Sequence, residues 1–263
     1  MQAKALPGFR EFYPEDLAFR SHIFATWRAV AARYGFEEYD GPPLEPLDLY
    51  TDKSGEEIVG QLYNFRDKGD REVALRPEMT PTLARMIGAR AQALRKPIRW
   101  FSIPQLFRYE RQQRGRLREH FQLNMDIVGE AGPLADAELI AAAIDILRAF
   151  GLGPKEVQAR LSDRRVVRAL LLGRGMSVDQ LKLAFTVIDK SEREAQGALA
   201  DQLMRAGVAR GAADAVFEVA GLRGLGPIVE ALQNQPDGET VVAPLQQAHT
   251  AFILALSIFV RVA

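Results

Sequence analysis

Apolar residues recur at helical spacing near the beginning of the chain. Pro14 precedes two acidic residues, a combination that favours a helix N-terminus. An apolar residue then follows every three or four positions, which predicts one stripe along a helix. The stripe consists of Phe19, Ile23, Trp27, Val30 and Tyr34. Gly35 can adopt the left-handed conformation that ends a helix, so the helix is predicted to stop there.

Shorter patterns predict strands and two further helices in the next hundred residues. Strands are predicted at 36–40, 44–46 and 98–103, and helices at 80–94 and 135–150. Residues 62–66 and 72–76 flank the turn sequence Asp67-Lys68-Gly69-Asp70, which predicts a β-hairpin. This mixture of helices and short strands indicates an α+β protein.

The segment from 106 to 127 combines strand patterns with many polar residues. Residues 106–111 and 121–127 are predicted to be two strands that pair antiparallel, joined by an arginine-rich loop. Arg108 and Glu110 fall on one face of the first strand by alternation. In the second strand every other residue is apolar, and the opposite face carries Gln122, Asn124 and Asp126.

The composition changes after residue 153. Residues 160–235 are rich in alanine, leucine and arginine and are predicted to form a small helical domain. Helices are expected from Ser177, as N-cap, to Asp189 and over 192–206. The predicted domains are 1–158, 159–236 and 237–263, with strand-like composition at 251–260 in the last of them.

Composition excludes several classes of protein and site. The 263 residues carry 34 basic and 34 acidic side chains, so a uniformly basic nucleic-acid-binding surface is excluded. The chain has no cysteine, which excludes a thiolate zinc site and a cysteine nucleophile, and favours the cytosol. The three histidines are not spaced as a metal-ligand set. No signal peptide or membrane span is predicted, so we expect a cytoplasmic protein.

Two polar clusters could bind a ligand, and each has a simpler interpretation. Five arginines between 108 and 118 could grip phosphate, because guanidinium binds it bidentately, or could line a solvated loop. Glu78 and Thr80 lie where a strand ends and a helix begins. They could hold a ligand ammonium group, or only cap the helix.

Taken together, these motifs resemble the catalytic core of class II aminoacyl-tRNA synthetases, and specifically the histidyl-tRNA synthetase family. The matching segments are 7–15, which resembles the opening of the family, 41–45 at the place of motif 1, 75–80, which resembles the histidine-site loop, and 107–122, which resembles motif 2. The resemblance implies an antiparallel sheet flanked by helices, with a helical insertion domain that approaches the tRNA acceptor arm.

The resemblance also implies a role for individual residues. Arg108 would hold the α-phosphate of ATP as a catalytic residue, Glu110 would meet the adenine amino group, and Arg116 would reach the outer phosphates. Glu78, Thr80 and Gln122 would hold the α-amino group of histidine, and Asp126 would lie near its imidazole. The implied substrates and partners are ATP with Mg²⁺, histidine, tRNA(His) and a second copy of the chain, paired through motif 1.

The sequence departs from the family pattern at its C-terminal end. These 263 residues contain no match to motif 3 or to the anticodon-binding domain, and Arg261 is the candidate for a catalytic arginine that the family's tyrosines do not follow here. We therefore expect a histidyl-tRNA synthetase-like module with impaired activity. The alternative is a noncatalytic regulatory paralogue that binds histidine, like the regulatory subunit of ATP phosphoribosyltransferase.

Overall fold

The computed structural model describes residues 4–54, 56–109, 115, 117–159, 163–191, 193–222, 225–233, 235, 243, 246 and 250. The strands of this part of the chain are β1 (Glu37–Glu38), β2 (Leu44–Pro46), β3 (Asn64–Arg66), β4 (Glu72–Leu75), β5 (Ile98–Ser102), β6 (Gln105–Phe107), β7 (Glu119–Phe121) and β8 (Asn124–Val128). The α-helices are α1 (Pro14–Arg33), α2 (Asp48–Ser54), α3 (Thr80–Ala89), α4 (Pro133–Ala149), α5 (Arg164–Gly173), α6 (Leu181–Lys190), α7 (Gln196–Arg205), α8 (Arg210–Gly221) and α9 (Leu225–Leu232). The α+β class predicted from the sequence is confirmed.

Helix α1 begins at the predicted proline and is followed by Gly35, whose φ of +73° is in the left-handed region. Its apolar stripe is buried at one end only. Val30 is 1% exposed, whereas Phe19 is 70% exposed. Helix α3 was expected to reach residue 94 but ends at Ala89, one residue after Gly88. Glycine weakens a helix because it has the most backbone freedom to lose, so the end of α3 follows its weakest position.

The strands form three small sheets rather than one. The predicted hairpin is confirmed, since β3 pairs antiparallel with β4, and β4 also pairs with β2. In a second sheet, β5 lies between β1 and β8. The pair β1–β5 is parallel, which corrects the expectation of an antiparallel sheet. Helices α2 and α3 lie between these two strands in sequence, and such a long connection allows parallel pairing.

The prediction of one continuous strand over 121–127 is wrong. The chain forms β7, which pairs with β6, and β8, which pairs with β5, with Gln122 and Leu123 between them. The segment that pairs with these two strands is interrupted at the matching position, because Pro104 lies between β5 and β6. Proline has no N–H to donate to a strand ladder, and the Gln122 amide donates to its carbonyl at 3.4 Å.

The described residues group into two compact units. One lies within Met1–Ala131 and Ala142–Val157 and contains the three sheets, and the other lies within Gly132–Ala141 and Gln158–Ala263. In the second unit, α5 to α9 surround an apolar core that includes Leu170, Leu171, Leu199, Leu203 and Val216. Ser177 is the N-cap, as predicted, and its backbone amide donates to Gln180 Oε1 at 3.0 Å, although the first turn is a 3₁₀ turn at Val178–Gln180. The strand predicted at 251–260 lies outside the described residues.

Candidate functional site

The turn from Arg76 to Thr80 connects β4 to α3. Glu78 is half-buried in this turn, and the exposed Thr80 is the first residue of α3. The N-cap position is occupied by Met79, which makes no side-chain cap hydrogen bond. Neither Glu78 nor Thr80 therefore holds the N-cap position that the capping interpretation assigns to them.

Arg108 follows β6 directly and contacts this turn. Its backbone amide donates to the carbonyl of Arg118 at 2.9 Å, which continues the β6–β7 pairing by one residue. Its Nε donates to the carbonyl of Pro77 at 3.4 Å. The strand predicted over 106–111 ends at Phe107, but the hydrogen bond still brings the guanidinium of Arg108 next to the residue that precedes Glu78.

Gln122 and Asp126 lie on different segments, which corrects their predicted placement on one strand face. Gln122 is exposed in the connection after β7, whereas Asp126 is half-buried in the middle of β8. In the β5–β8 pair, Asp126 lies directly opposite Trp100. Removal from water disfavours the charged carboxylate, so burial raises the pKa of Asp126 above its ordinary value.

Three polar side chains near Asp126 have a buried polar atom, and two of them, Ser102 and Tyr39, were not identified from the sequence as site residues. Ser102 lies opposite Asn124 in the β5–β8 register, and Tyr39 immediately follows β1. Within the described residues, the Tyr39 hydroxyl, the Ser102 hydroxyl and Asn124 Oδ1 are buried without a well-aligned hydrogen bond. Buried polar atoms normally have partners, so these three mark an unusual part of the sheet. Asn124 was predicted to lie on the polar face; the other two gave no sequence signal.

Two tyrosines of the first unit have a raised pKa, the half-buried Tyr39 after β1 and the buried Tyr50 in α2. Burial raises the pKa of Tyr39 to about 12, with Asp126 raising it further, while Ser102 and Arg76 oppose the shift. Burial likewise raises the pKa of Tyr50 in α2 to about 12, and there Glu78 adds to the shift while Arg76 opposes it. Arg76 thus acts on both tyrosines, whereas Asp126 acts on Tyr39 and Glu78 acts on Tyr50.

Two further carboxylates of the first unit are buried and accept hydrogen bonds. Glu45 in β2 is 4% exposed and accepts hydrogen bonds from Thr82 at 3.0 Å and Arg85 at 2.6 Å. Glu119 in β7 accepts from the Arg10 backbone amide at 2.9 Å and from the Gln105 side chain. Both carboxylates were part of recognised motifs, but nothing in the local pattern distinguished them from solvent-exposed charges.

Three predicted site residues, Glu110, Arg116 and Arg261, lie outside the described residues. In the part of the chain that is described, no three histidine, aspartate or glutamate side chains gather as a metal-ligand set. The described helices include none with the length and apolar character needed to cross a membrane.

Comparison with known proteins identifies the relatives of the chain. The family model described as Histidyl-tRNA synthetase matches residues 8–257. A histidine–tRNA ligase of Opitutus terrae is 53% identical over 190 residues, covering 72% of this chain and 44% of that protein. One of Haloarcula marismortui is 45% identical over 215 residues, covering 82% and 49%. The chain therefore spans about half the length of these relatives.

Two solved structures share the fold. Histidyl-tRNA synthetase from Nostoc sp. PCC 7120 superimposes with a TM-score of 0.84 at 21% identity, covering 97% of this chain and 59% of that one. An ATP phosphoribosyltransferase regulatory subunit/histidyl-tRNA synthetase from Bacillus halodurans C gives a TM-score of 0.78 at 20% identity, covering 96% and 65%. At these identities the similarity concerns the fold alone.

Proposed function

The chain belongs to the histidyl-tRNA synthetase family of class II aminoacyl-tRNA synthetases, and from this premise we propose that it carries the site that activates histidine with ATP. The observation that carries the proposal is the hydrogen bond from Arg108 Nε to the carbonyl of Pro77 at 3.4 Å. It brings a permanent cation to the turn at the residue before Glu78, whose side chain is half-buried. A site that joins an amino acid to a nucleotide needs a cation to bind phosphate and an anion to bind the ammonium group, and Arg108 and Glu78 would supply them.

Histidine would bind between the turn and β8. Glu78 and Thr80 would hold its α-ammonium group together with Gln122, whose exposed position after β7 leaves its amide accessible. Asp126 would accept a hydrogen bond from an imidazole N–H. A half-buried carboxylate suits this role, because a hydrogen bond to a charged group strengthens as water is excluded.

ATP would bind with its α-phosphate on Arg108, while Glu110 and Arg116 would hold the adenine and the outer phosphates. A histidine carboxylate oxygen would attack the α-phosphorus in line, forming the new P–O bond as the bond to the leaving pyrophosphate breaks. Arg108 would stabilise the negative charge that develops on the α-phosphate oxygens, and Arg261 would assist. Mg²⁺ would enter with ATP as part of the substrate.

Transfer of histidine to tRNA(His) by a homodimer completes the proposal. The helices α5 to α9 would approach the tRNA, and the segment 42–45 would pair with a second copy. Within the described residues, β2 is an edge strand of its sheet, and Leu44 is 38% exposed. An edge strand with an exposed apolar residue is suited to pairing with another chain.

A noncatalytic regulatory role is the second candidate. It is favoured by the fold similarity to the Bacillus halodurans protein, whose name includes both functions. The synthetase function is preferred because relatives of higher identity than the Bacillus halodurans protein are named histidine–tRNA ligases. A regulatory protein also has no need of an arginine for the α-phosphate.

Pyrophosphate exchange tests the proposal. The unmodified chain should catalyse histidine-dependent exchange between ATP and pyrophosphate, and Arg108→Ala should lower its rate at least about a hundredfold, the scale expected when one charge-stabilising group is lost. Arg28→Ala is the matched control, since Arg28 pairs only with Glu38 on the surface of α1 among the described residues. Exchange that does not depend on histidine, or that survives Arg108→Ala, would contradict the proposal.

A further inference from the structure

Arg76 is a buried cation for which the proposed chemistry gives no role. It follows β4 directly and is only 4% exposed. Burying a charge is costly unless hydrogen bonds replace its hydration, so the contacts of a buried arginine are strongly specified.

The guanidinium of Arg76 joins three segments. Its Nη1 donates to Asp40 Oδ1 and to the carbonyl of Gly41, both at 2.7 Å. Its Nε donates to the carbonyl of Gln105, the first residue of β6, at 3.1 Å. Nη1 also lies 3.7 Å from the sulfur of Met79 in the turn.

The backbone of Arg76 repeats these connections. Its amide donates to the carbonyl of Pro43 at 2.9 Å, and its carbonyl accepts from the amide of Phe107, the last residue of β6, at 3.0 Å. Side chain and backbone therefore hold both ends of β6. The next residue after β6 is Arg108, and the next residue after Arg76 is Pro77, whose carbonyl Arg108 reaches.

We propose that Arg76 is a positioning residue that sets the distance between the Glu78 turn and Arg108. This inference rests on the proposed function. Arg76 contacts both the turn that would hold the amino acid and the strand that leads to Arg108, which would hold the phosphate. Activation of an amino acid requires its carboxylate to lie close to the α-phosphorus, and a displacement of about 1 Å can cost a hundredfold in rate. Lysine cannot replace the anchor, since its single ammonium lacks the fixed fork with which Nε and Nη1 reach different segments.

The test compares Arg76→Lys with Asp145→Asn. Both variants alter a largely buried charged residue of the first unit, but Asp145 contacts Tyr34 and Arg148 and not β6. Hydrogen exchange without ligand should be faster in both 76–80 and 105–108 for Arg76→Lys, and unchanged in both segments for Asp145→Asn. At a temperature where circular dichroism shows both variants folded, Arg76→Lys should weaken histidine binding at least about tenfold, and Asp145→Asn less than about twofold.

The outcomes separate the anchor from the proposed function. Unchanged exchange in 105–108, or unchanged histidine affinity in a folded Arg76→Lys protein, would overturn the positioning role. Equal loss of affinity in Asp145→Asn would also overturn it, because general destabilisation would then explain the effect. If the unmodified chain binds no histidine, the proposed function is wrong, and the positioning role is wrong as well. Faster hydrogen exchange in both segments of Arg76→Lys would then show only that Arg76 holds these segments together.

Discussion

Asp126 carries an electrostatic cost in the folded protein that a ligand could offset. Burial raises the pKa of its carboxyl, so the folded state binds a proton at this site more tightly than the unfolded state does. Its contribution to stability is therefore most favourable below the ordinary pKa of aspartate, about 3.9, and decreases as the pH rises through the raised value.

Asp126→Asn should therefore stabilise the protein at pH 7 and abolish its preference for histidine. An uncharged side chain of the same shape does not carry the cost of a buried charge. We expect a slightly higher melting temperature at pH 7, because solvent screens part of this cost for a carboxylate that is only half-buried. Melting curves of both proteins from pH 3 to pH 8 check this. A difference that does not shrink towards pH 3 would contradict the assignment of the effect to Asp126 ionisation.

The residues that sequence reasoning missed are those whose role depends on distant neighbours. Glu78 and Asp126 were predicted because motif and alternation are local properties. Ser102 reads as the end of an apolar strand, and only the β5–β8 register places it opposite Asn124. In the sequence Arg76 is one of many charged residues, and it follows a predicted strand. Its side chain donates hydrogen bonds to Gln105 and Asp40, which are 29 and 36 positions away.

At the scale of secondary structure elements, the loop after β1 packs closely on α3. A Cβ atom added at Gly41 would overlap Cγ2 of Thr82 and lie 3.5 Å from atoms of both Met79 and Met86. Gly41→Ala should lower the free energy of unfolding by about 1–3 kcal/mol, the usual cost of overpacking.

A double mutant distinguishes this contact from a general backbone effect of alanine. In the Thr82→Ser background, which lacks Cγ2 but keeps the hydroxyl that donates to Glu45, Gly41→Ala should cost less than about half as much. Urea denaturation of the four proteins measures both values. Equal costs in the two backgrounds would show that Thr82 is not the obstacle.

The elements themselves were predicted well where the determinants are local, as for α1, the β3–β4 hairpin and β5. The division of 121–127 into β7 and β8 could not be predicted from that segment, because its alternation is uninterrupted. The cause lies in the partner segment, where Pro104 interrupts the ladder. The parallel pairing of β1 with β5 likewise depends on the long connection over residues 39–97 and not on either strand's own sequence.

At the scale of the whole molecule, the proposed dimer makes the edge strand β2 an interface. Leu44→Lys should shift the protein from dimer to monomer, because it places a charge at the predicted contact. Val178→Lys, on an exposed position in the helical unit, should leave the dimer intact. Sedimentation velocity at micromolar concentration measures both. A monomeric unmodified chain, or dissociation by both substitutions alike, would argue against pairing through β2.

We propose that the Glu78 turn, Arg108 and β8 together form a site for histidine. Calorimetric titration of the unmodified chain with histidine and with leucine tests it most directly, with Glu78→Gln as the variant that removes the charge expected to hold the ammonium group. We expect binding of histidine, at least about tenfold weaker binding of leucine, and a loss of about tenfold or more in Glu78→Gln, since a hydrogen bond to a charged group contributes about 1.5–3 kcal/mol. Equal affinity for both amino acids, or histidine binding that Glu78→Gln does not weaken, would contradict it.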